Sequence, residues 1–103
     1  MAYVGSYSTQ LFTVAAASAS PSLPLGYQAD DVVLMCITQD GGGTAISTTS
    51  TGWNTIGTQA ASGGSRQVWA YKVMTASSDT DPTFAGANDT WEFFKVIVRG
   101  SDT

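Results

Sequence analysis

Residues 32–38 read Val-Val-Leu-Met-Cys-Ile-Thr, and they form the most apolar stretch of the chain. About seven apolar, mostly β-branched or long side chains are too few for a helix of ordinary length, and glycines follow at positions 41–43. The stretch therefore predicts a strand that is buried on both faces. Strands beside such a strand need apolar character on only one of their faces.

Later segments show this one-sided pattern. Residues 66–74 alternate, with the large side chains of Trp69 and Tyr71 on one side of the predicted strand, and residues 91–99 alternate in the same way. Short extended segments separated by Gly, Pro, Ser and Asp recur along the chain, and none carries a helical pattern. The sequence predicts an all-β fold: a two-layer antiparallel β-sandwich of seven or eight strands, with immunoglobulin-like or jelly-roll connections.

The chain of 103 residues is predicted to be a single domain, large enough to hold a core without a metal or a disulfide. Residues 26–103 are assigned to the sandwich, and residues 1–25 to an N-terminal strand or arm that can pair with another subunit. The N-terminus lacks a basic region followed by an apolar core, and no apolar run is long enough to cross a bilayer. We therefore expect a soluble, unprocessed product with no membrane partner.

The charge distribution bears on the class of partner. The net charge is −4, and the four basic residues are scattered, so no positive stripe is available to neutralise a phosphate backbone. The sequence therefore predicts no nucleic-acid partner. The glycines at 41–43 are followed by neither a lysine nor a helical pattern, so they do not predict a phosphate-binding loop.

The chain has no histidine, which excludes Ser-His and Cys-His catalysis and zinc sites built on histidine. Cys36 lies in the apolar run and is predicted to be a buried structural thiol. Asp30 and Asp31 are predicted to form a solvated turn. Asp79 and Asp81 have a spacing that can place two carboxylates on one calcium ion, but the rest of an EF-hand loop is missing. We expect no enzymatic activity, no catalytic residue, no cofactor and no metal.

Large aromatic side chains are the candidate anchors of a protein interface. They are Tyr3, Tyr7, Phe12, Trp53, Trp69 and Trp91. In a small sandwich, tryptophans usually pack in the core or at an interface, because each buries a large area and fixes the layers against one another. The alternative is a sugar-binding platform, since aromatic faces stack on pyranose rings.

A set of motifs extends over residues 26–100. It comprises residues 26–31, the apolar strand, Gly52-Trp53 with Ile56, residues 68–73, Asp81-Pro82-Thr83-Phe84, Trp91, and residues 96–100. Together these motifs resemble a small β-sandwich module of virion proteins of tailed bacteriophages, which include capsid decoration (cement) proteins and tail or receptor-binding proteins. The Asp-Pro-Thr-Phe piece and the closing residues 98–100 are the most specific of them.

The resemblance implies a non-enzymatic virion structural protein. A decoration protein needs only one sandwich, copies of itself and a capsid surface, and this chain is one short domain. We therefore expect a cement protein on the capsid surface of a virion, made in the host cytoplasm. Its expected partners are the major capsid protein and copies of itself, as a dimer or trimer, with the N-terminal segment adding a strand to a neighbour. The alternative is a tail-associated module that binds a receptor or a carbohydrate.

Overall fold

The structure, a computed structural model, describes residues 2–40, 44–62, 65–76 and 78–100, with the side chains of 2–6, 57–62 and 100 outside the description. The strands are β1 (Ala2–Ala19), β2 (Val32–Gln39), β3 (Asn54–Ser62), β4 (Ser65–Val73) and β5 (Phe84–Gly100). Over the described ranges they form one antiparallel sheet in the order β1-β5-β2-β4-β3.

The predicted all-β, antiparallel class is confirmed. The apolar stretch 32–38 forms β2 at the centre of the sheet, the alternating residues 66–74 correspond to β4, and residues 91–99 lie in the second half of β5. In the part of the chain that is described, five strands form one sheet. A two-layer sandwich of seven or eight strands is therefore not confirmed.

The hydrophobic core lies on one face of this sheet. Val33, Met35 and Ile37 alternate along β2 and are fully buried on that face. Phe93 on β5 and Val68 on β4 extend the same layer, because their strands pair with β2 in register. Connecting segments close the core from the other side with the buried side chains of Leu23, Ile46 and Met74.

The long strand β5 bends sharply. Phe84 and Phe93 lie nine positions apart, which corresponds to about 30 Å in an extended strand. Their ring centroids are nevertheless only 5.8 Å apart. The register of β1 against β5 shifts near residues 12–18, as expected where paired strands change direction. The bend brings the beginning of β5 over the core, where Ala85 forms an isolated bridge with Ser47.

Gln39 holds the bent segment in place. Its side chain is fully buried at the end of β2; its amide donates to the Ala87 carbonyl, and its side-chain oxygen accepts from the Ala87 N–H at 2.9 Å. Glycine is required at position 86, because a Cβ there would overlap the Gln39 oxygen and lie 3.0 Å from the Trp91 ring.

The substitution Gln39→Leu is expected to lower the free energy of unfolding by about 1 to 2 kcal/mol, because it leaves the N–H and C=O of Ala87 without their side-chain partner. Urea denaturation measures this loss. Gln67→Leu is the matched control: Gln67 is exposed on the opposite face, and its amide lies at a long distance of 3.4 Å from the Thr38 hydroxyl. Equal losses in the two variants would contradict the role of Gln39.

The N-terminal segment lies in the chain's own sheet. From Ala2 to Ala19 it forms β1, which pairs with β5 as an edge strand. Phe12 packs on the core with its ring 5.6 Å from that of Phe93. Pairing of the outer edge of β1 with another subunit stays a prediction. The glycines at 41–43 lie outside the described residues.

Candidate functional site

The face of the sheet opposite the core carries a second set of apolar side chains. We call it the open face, and it is formed by the residues that alternate with the core residues along each strand. Its described members are Tyr7, Thr9 and Leu11 on β1, Val32, Leu34, Cys36 and Thr38 on β2, Asn54 and Ile56 on β3, Gln67, Trp69, Tyr71 and Val73 on β4, and Glu92, Phe94, Val96 and Val98 on β5. Most are apolar, and Glu92 is the one charged residue among them.

The strand register arranges these side chains in rows that cross the sheet. The Trp69 row runs Thr9, Phe94, Cys36, Trp69, Ile56. The Tyr71 row runs Tyr7, Val96, Leu34, Tyr71, Asn54. Cross-strand neighbours on one face have Cβ atoms about 5 Å apart, so each row is a continuous line of side-chain contacts. The two rows form the centre of an apolar surface that spans all five strands.

Large hydrophobic side chains are exposed mainly on this face. Of the seven that are exposed in the described part of the chain, five lie here: Tyr7, Leu11, Ile56, Trp69 and Val73. Tyr7 is 72% exposed and Trp69 is 38% exposed. Monomeric proteins rarely expose contiguous apolar patches larger than a few hundred Å². In the described part of the chain, the exposed large hydrophobic side chains are thus concentrated on the open face.

Cys36 lies at the centre of the open face. It is only 8% exposed, since its neighbours on β4 and β5, Trp69 and Phe94, cover it. Burial raises the pKa of the Cys36 thiol, which keeps it protonated and a poor nucleophile. The prediction that Cys36 is buried is confirmed.

The predicted interface anchors divide between the two faces. Tyr7 and Trp69 lie exposed on the open face. Phe12 faces the core and is half-buried, while Trp53 and Trp91 are 7% and 1% exposed and have little surface left for a partner. The side chain of Tyr3 lies outside the described residues.

The alternating sequence of β4 correctly predicts which residues share a face of the strand. The face that carries the aromatic residues, however, points away from the core. Trp69 and Tyr71 lie on the open face, whereas the small side chains Val68 and Ala70 face the core. The residues that sequence reasoning missed are the open-face members of β2 and β5, such as Leu34 and Phe94. For Leu34, the sequence feature that could have identified it is the apolar character of β2 on both faces.

A shallow depression on the open face combines aromatic and polar groups. It has a volume of about 380 Å³ and is lined by Thr9, Cys36, Thr38, Gln67, Trp69, Glu92 and Phe94. A hydroxyl, an amide and a carboxylate therefore lie beside an exposed indole ring. This combination can stack on a sugar ring and hydrogen-bond its hydroxyls.

A buried ion pair ties the segment before β2 to the end of β5. The Asp31 carboxylate accepts from Arg99 Nε at 2.8 Å and Nη2 at 2.7 Å, and from the Gln28 N–H at 2.8 Å. These bonds from Arg99 hold the pKa of Asp31 below its usual value. The prediction of a solvated turn is wrong for Asp31, which is 2% exposed because Arg99 draws it inward; Asp30 is exposed.

A second polar cluster anchors the segment that follows β1. Lys95 is 4% exposed and donates to Gln10 Oε1 at 2.7 Å and to the Ser22 carbonyl at 2.8 Å. Burial lowers the pKa of Lys95. Asp81 accepts from the Leu23 N–H at 2.9 Å. These contacts hold the loop over the core, so Lys95 and Asp81 have a structural role.

Asp79 and Asp81, the candidate calcium pair, bind different partners. Asp79 accepts from the Thr75 N–H at 2.9 Å and the Thr75 hydroxyl at 2.7 Å, and Lys72 Nζ lies 3.7 Å away. The bonds from Thr75 hold the pKa of Asp79 below its usual value. Both carboxylates are thus used to secure loops.

Three further findings bear on function. The described residues contain no group of three or more acidic, cysteine or histidine side chains placed to hold a metal ion. None of the described segments forms a helix with the length and apolarity needed to cross a membrane. Comparison of the chain with protein-family models, with curated proteins and with solved structures finds no match.

Proposed function

We propose that the chain is a non-enzymatic structural protein of a bacteriophage virion, a decoration (cement) subunit that binds the assembled capsid and stabilises it. The open face is the observation that carries this proposal. It is broad, apolar and almost uncharged, and burying it against another protein removes apolar surface from water. The resemblance of residues 26–100 to virion sandwich modules supports the same role.

A cement subunit must contact more than one neighbour, and the fold offers two separate surfaces. The first is the open face. The second is the outer edge of β1, which ends the sheet and presents backbone groups to which another strand can add. We assign the major capsid protein and further copies of the chain to these two surfaces.

The proposal also accounts for the sandwich pattern in the sequence. Stacked sheets lie about 10 Å apart with their side chains interdigitated. A partner layer on the open face would bury β2 on both sides, as its composition predicts. A two-layer arrangement of strands is thus proposed for the assembled state.

The buried charged groups fit a structural role. Asp31 and Lys95 are each engaged in hydrogen bonds that tie a loop to the sheet. Neither lies on the open face. These two buried charges therefore leave the mainly apolar character of the open face unchanged, and this suits assembly better than turnover.

Binding to shells tests the proposal. Purified chain is added to assembled shells of the virus that encodes it, prepared without this protein. We expect binding to saturate at a copy number comparable to that of the major capsid protein and to raise the temperature at which the shells disassemble. No binding, or only a handful of copies in native virions, would reject the role.

A second candidate is a tail-associated module that binds carbohydrate. The exposed Trp69, which lies beside Gln67 and Glu92 in the depression of about 380 Å³, favours it. A glycan array followed by tryptophan fluorescence titration separates the two functions. Saccharide binding that is lost in Trp69→Ala supports the second candidate, and an array without binding rejects it.

A further inference from the structure

We propose that the partner covering the open face is a second copy of this chain, packed face to face about a twofold axis that runs across the strands between the Trp69 row and the Tyr71 row. The inference rests on the proposed function only in treating the open face as a protein contact surface. It adds the identity of the occupant and the geometry of the pair.

The area of the face meets the needs of a stable dimer. Five strands at about 4.8 Å spacing and seven residues at about 3.3 Å each give a surface of about 24 Å by 23 Å, or about 550 Å² of flat area. Two such faces cover about 1,100 Å², just above the area of about 1,000 Å² at which specific interfaces begin. The side chains stand out from the sheet, so the accessible area that is buried exceeds this flat area.

The composition of the face matches that of an interface between identical copies. A twofold pair brings the same patch together from both subunits, so the patch must be complementary to itself. An apolar surface meets this condition without a matching pattern of charges. Interfaces of permanent homodimers are also more apolar than those of transient complexes. Glu92 is the one charged residue among the described side chains of the face. The arrangement of the two copies must keep the two Glu92 carboxylates apart.

The position of Glu92 selects the axis. It pairs with Thr38 and lies at one end of the face, while Val98, Val32 and Val73 form the other end. An axis parallel to the strands and passing over the central strand β2 would leave both Glu92 side chains at the same end of the contact, about 10 Å apart across the strands and on sheets about 10 Å apart. An axis across the strands places them at opposite ends, about 20 Å apart along the strand direction.

This axis determines which side chains meet. Because it lies between the two central rows, it places Trp69 over the partner's Tyr71 and Phe94 over the partner's Val96. Tryptophan and tyrosine are the side chains that most often dominate interface energetics, and they act near the centre of the buried area. Trp69 is therefore expected to be the main anchor of the dimer.

The mass of the purified full chain, measured by sedimentation equilibrium over a range of concentrations, tests the inference. We expect twice the chain mass at micromolar concentration. Trp69→Lys, and Val73→Lys as a second variant, should raise the dimer dissociation constant about 100-fold or more, while circular dichroism shows that they remain folded. Leu25→Lys is the matched control, because Leu25 is 93% exposed in a loop outside the face. Equal weakening by the control would overturn the assignment of the face.

Glu92→Gln tests the axis. With the axis across the strands, the dissociation constant should change less than about threefold and depend little on salt, since the two carboxylates are beyond a Debye length of about 8 Å at physiological salt. A tightening of tenfold or more would show that the two side chains oppose each other, and this would overturn the proposed geometry.

The same samples added to shells distinguish this inference from the proposed function. A chain that stays monomeric up to about 100 μM yet binds shells, with Trp69→Lys abolishing the binding, identifies the shell protein as the occupant and overturns the inference alone. A dimer that binds no shell supports the inference and overturns the cement role.

Discussion

The substitution Trp91→Ala is expected to lower the free energy of unfolding by about 3 to 5 kcal/mol, which is a large share of the 5 to 15 kcal/mol of a typical domain. Trp91 is 1% exposed and stacks on Phe93 with ring centroids 5.8 Å apart. Its indole N–H donates to the Ala16 carbonyl at 2.8 Å. Truncation removes these contacts together and leaves a cavity where β1 and β5 bend. Urea denaturation measures the loss.

Two further variants separate the contributions to this loss of stability. Trp91→Phe keeps most of the ring but leaves the Ala16 carbonyl without its donor, so we expect a loss of about 1 kcal/mol. Trp69→Ala removes the same side chain from the open face and should cost less than half as much as Trp91→Ala. Measurements at several chain concentrations separate the effect of self-association. If Trp69→Ala were the more damaging, the core would be assigned to the wrong face of the sheet.

The substitution Asp31→Asn is expected to cost about 2 to 3 kcal/mol at neutral pH, because hydrogen bonds to a charged group are among the stronger ones and Arg99 would lose its buried partner. The Asp31 side chain is 4% exposed and the Arg99 side chain 27% exposed, so solvent screens the pair only in part. Chemical denaturation at pH 7 gives the value. Asp30→Asn is the matched control: Asp30 is exposed and has a φ of 73°, which asparagine tolerates.

The same pair makes stability depend on pH. Because the folded pKa of Asp31 is lowered, the stability that it contributes is fully present above its unfolded pKa near 3.8 and is lost as the pH falls through the folded pKa. Stability should therefore decline below about pH 4. Asp79, whose pKa is also lowered, contributes to the same decline. The slope should become shallower in Asp31→Asn than in the unsubstituted chain; identical slopes in the two proteins would contradict the pairing.

Most of the local structure could be predicted from the sequence. Period-two alternation marks β4 and the second half of β5, and the apolar run marks β2, because side chains in a strand point alternately to opposite faces. The bend of β5 could not be predicted. Residues 86–89 are Gly-Ala-Asn-Asp, a composition that favours turns, yet Gln39, which is distant in sequence, holds them in a continuous strand.

The candidate site was predicted only in part. Tyr7 and Trp69 were selected as aromatic anchors and do lie on the open face, whereas Trp53 and Trp91 lie in the core. An aromatic side chain has the same intrinsic preference for both places, since each removes a large apolar area from water. Only the direction in which the loops close over the sheet separates the two groups.

The sequence by itself determined the all-β class and the division of β4 and the second half of β5 into two sides, because these follow from local periodicity. Tertiary structure alone decided which side became the core, that Asp31 is buried against Arg99, and that the aromatic side of β4 stays exposed. Those outcomes depend on contacts between residues far apart in the chain, and local patterns carry no information about such partners. A strand that is apolar on both faces has the same sequence whether its second face is covered by its own chain or by another molecule.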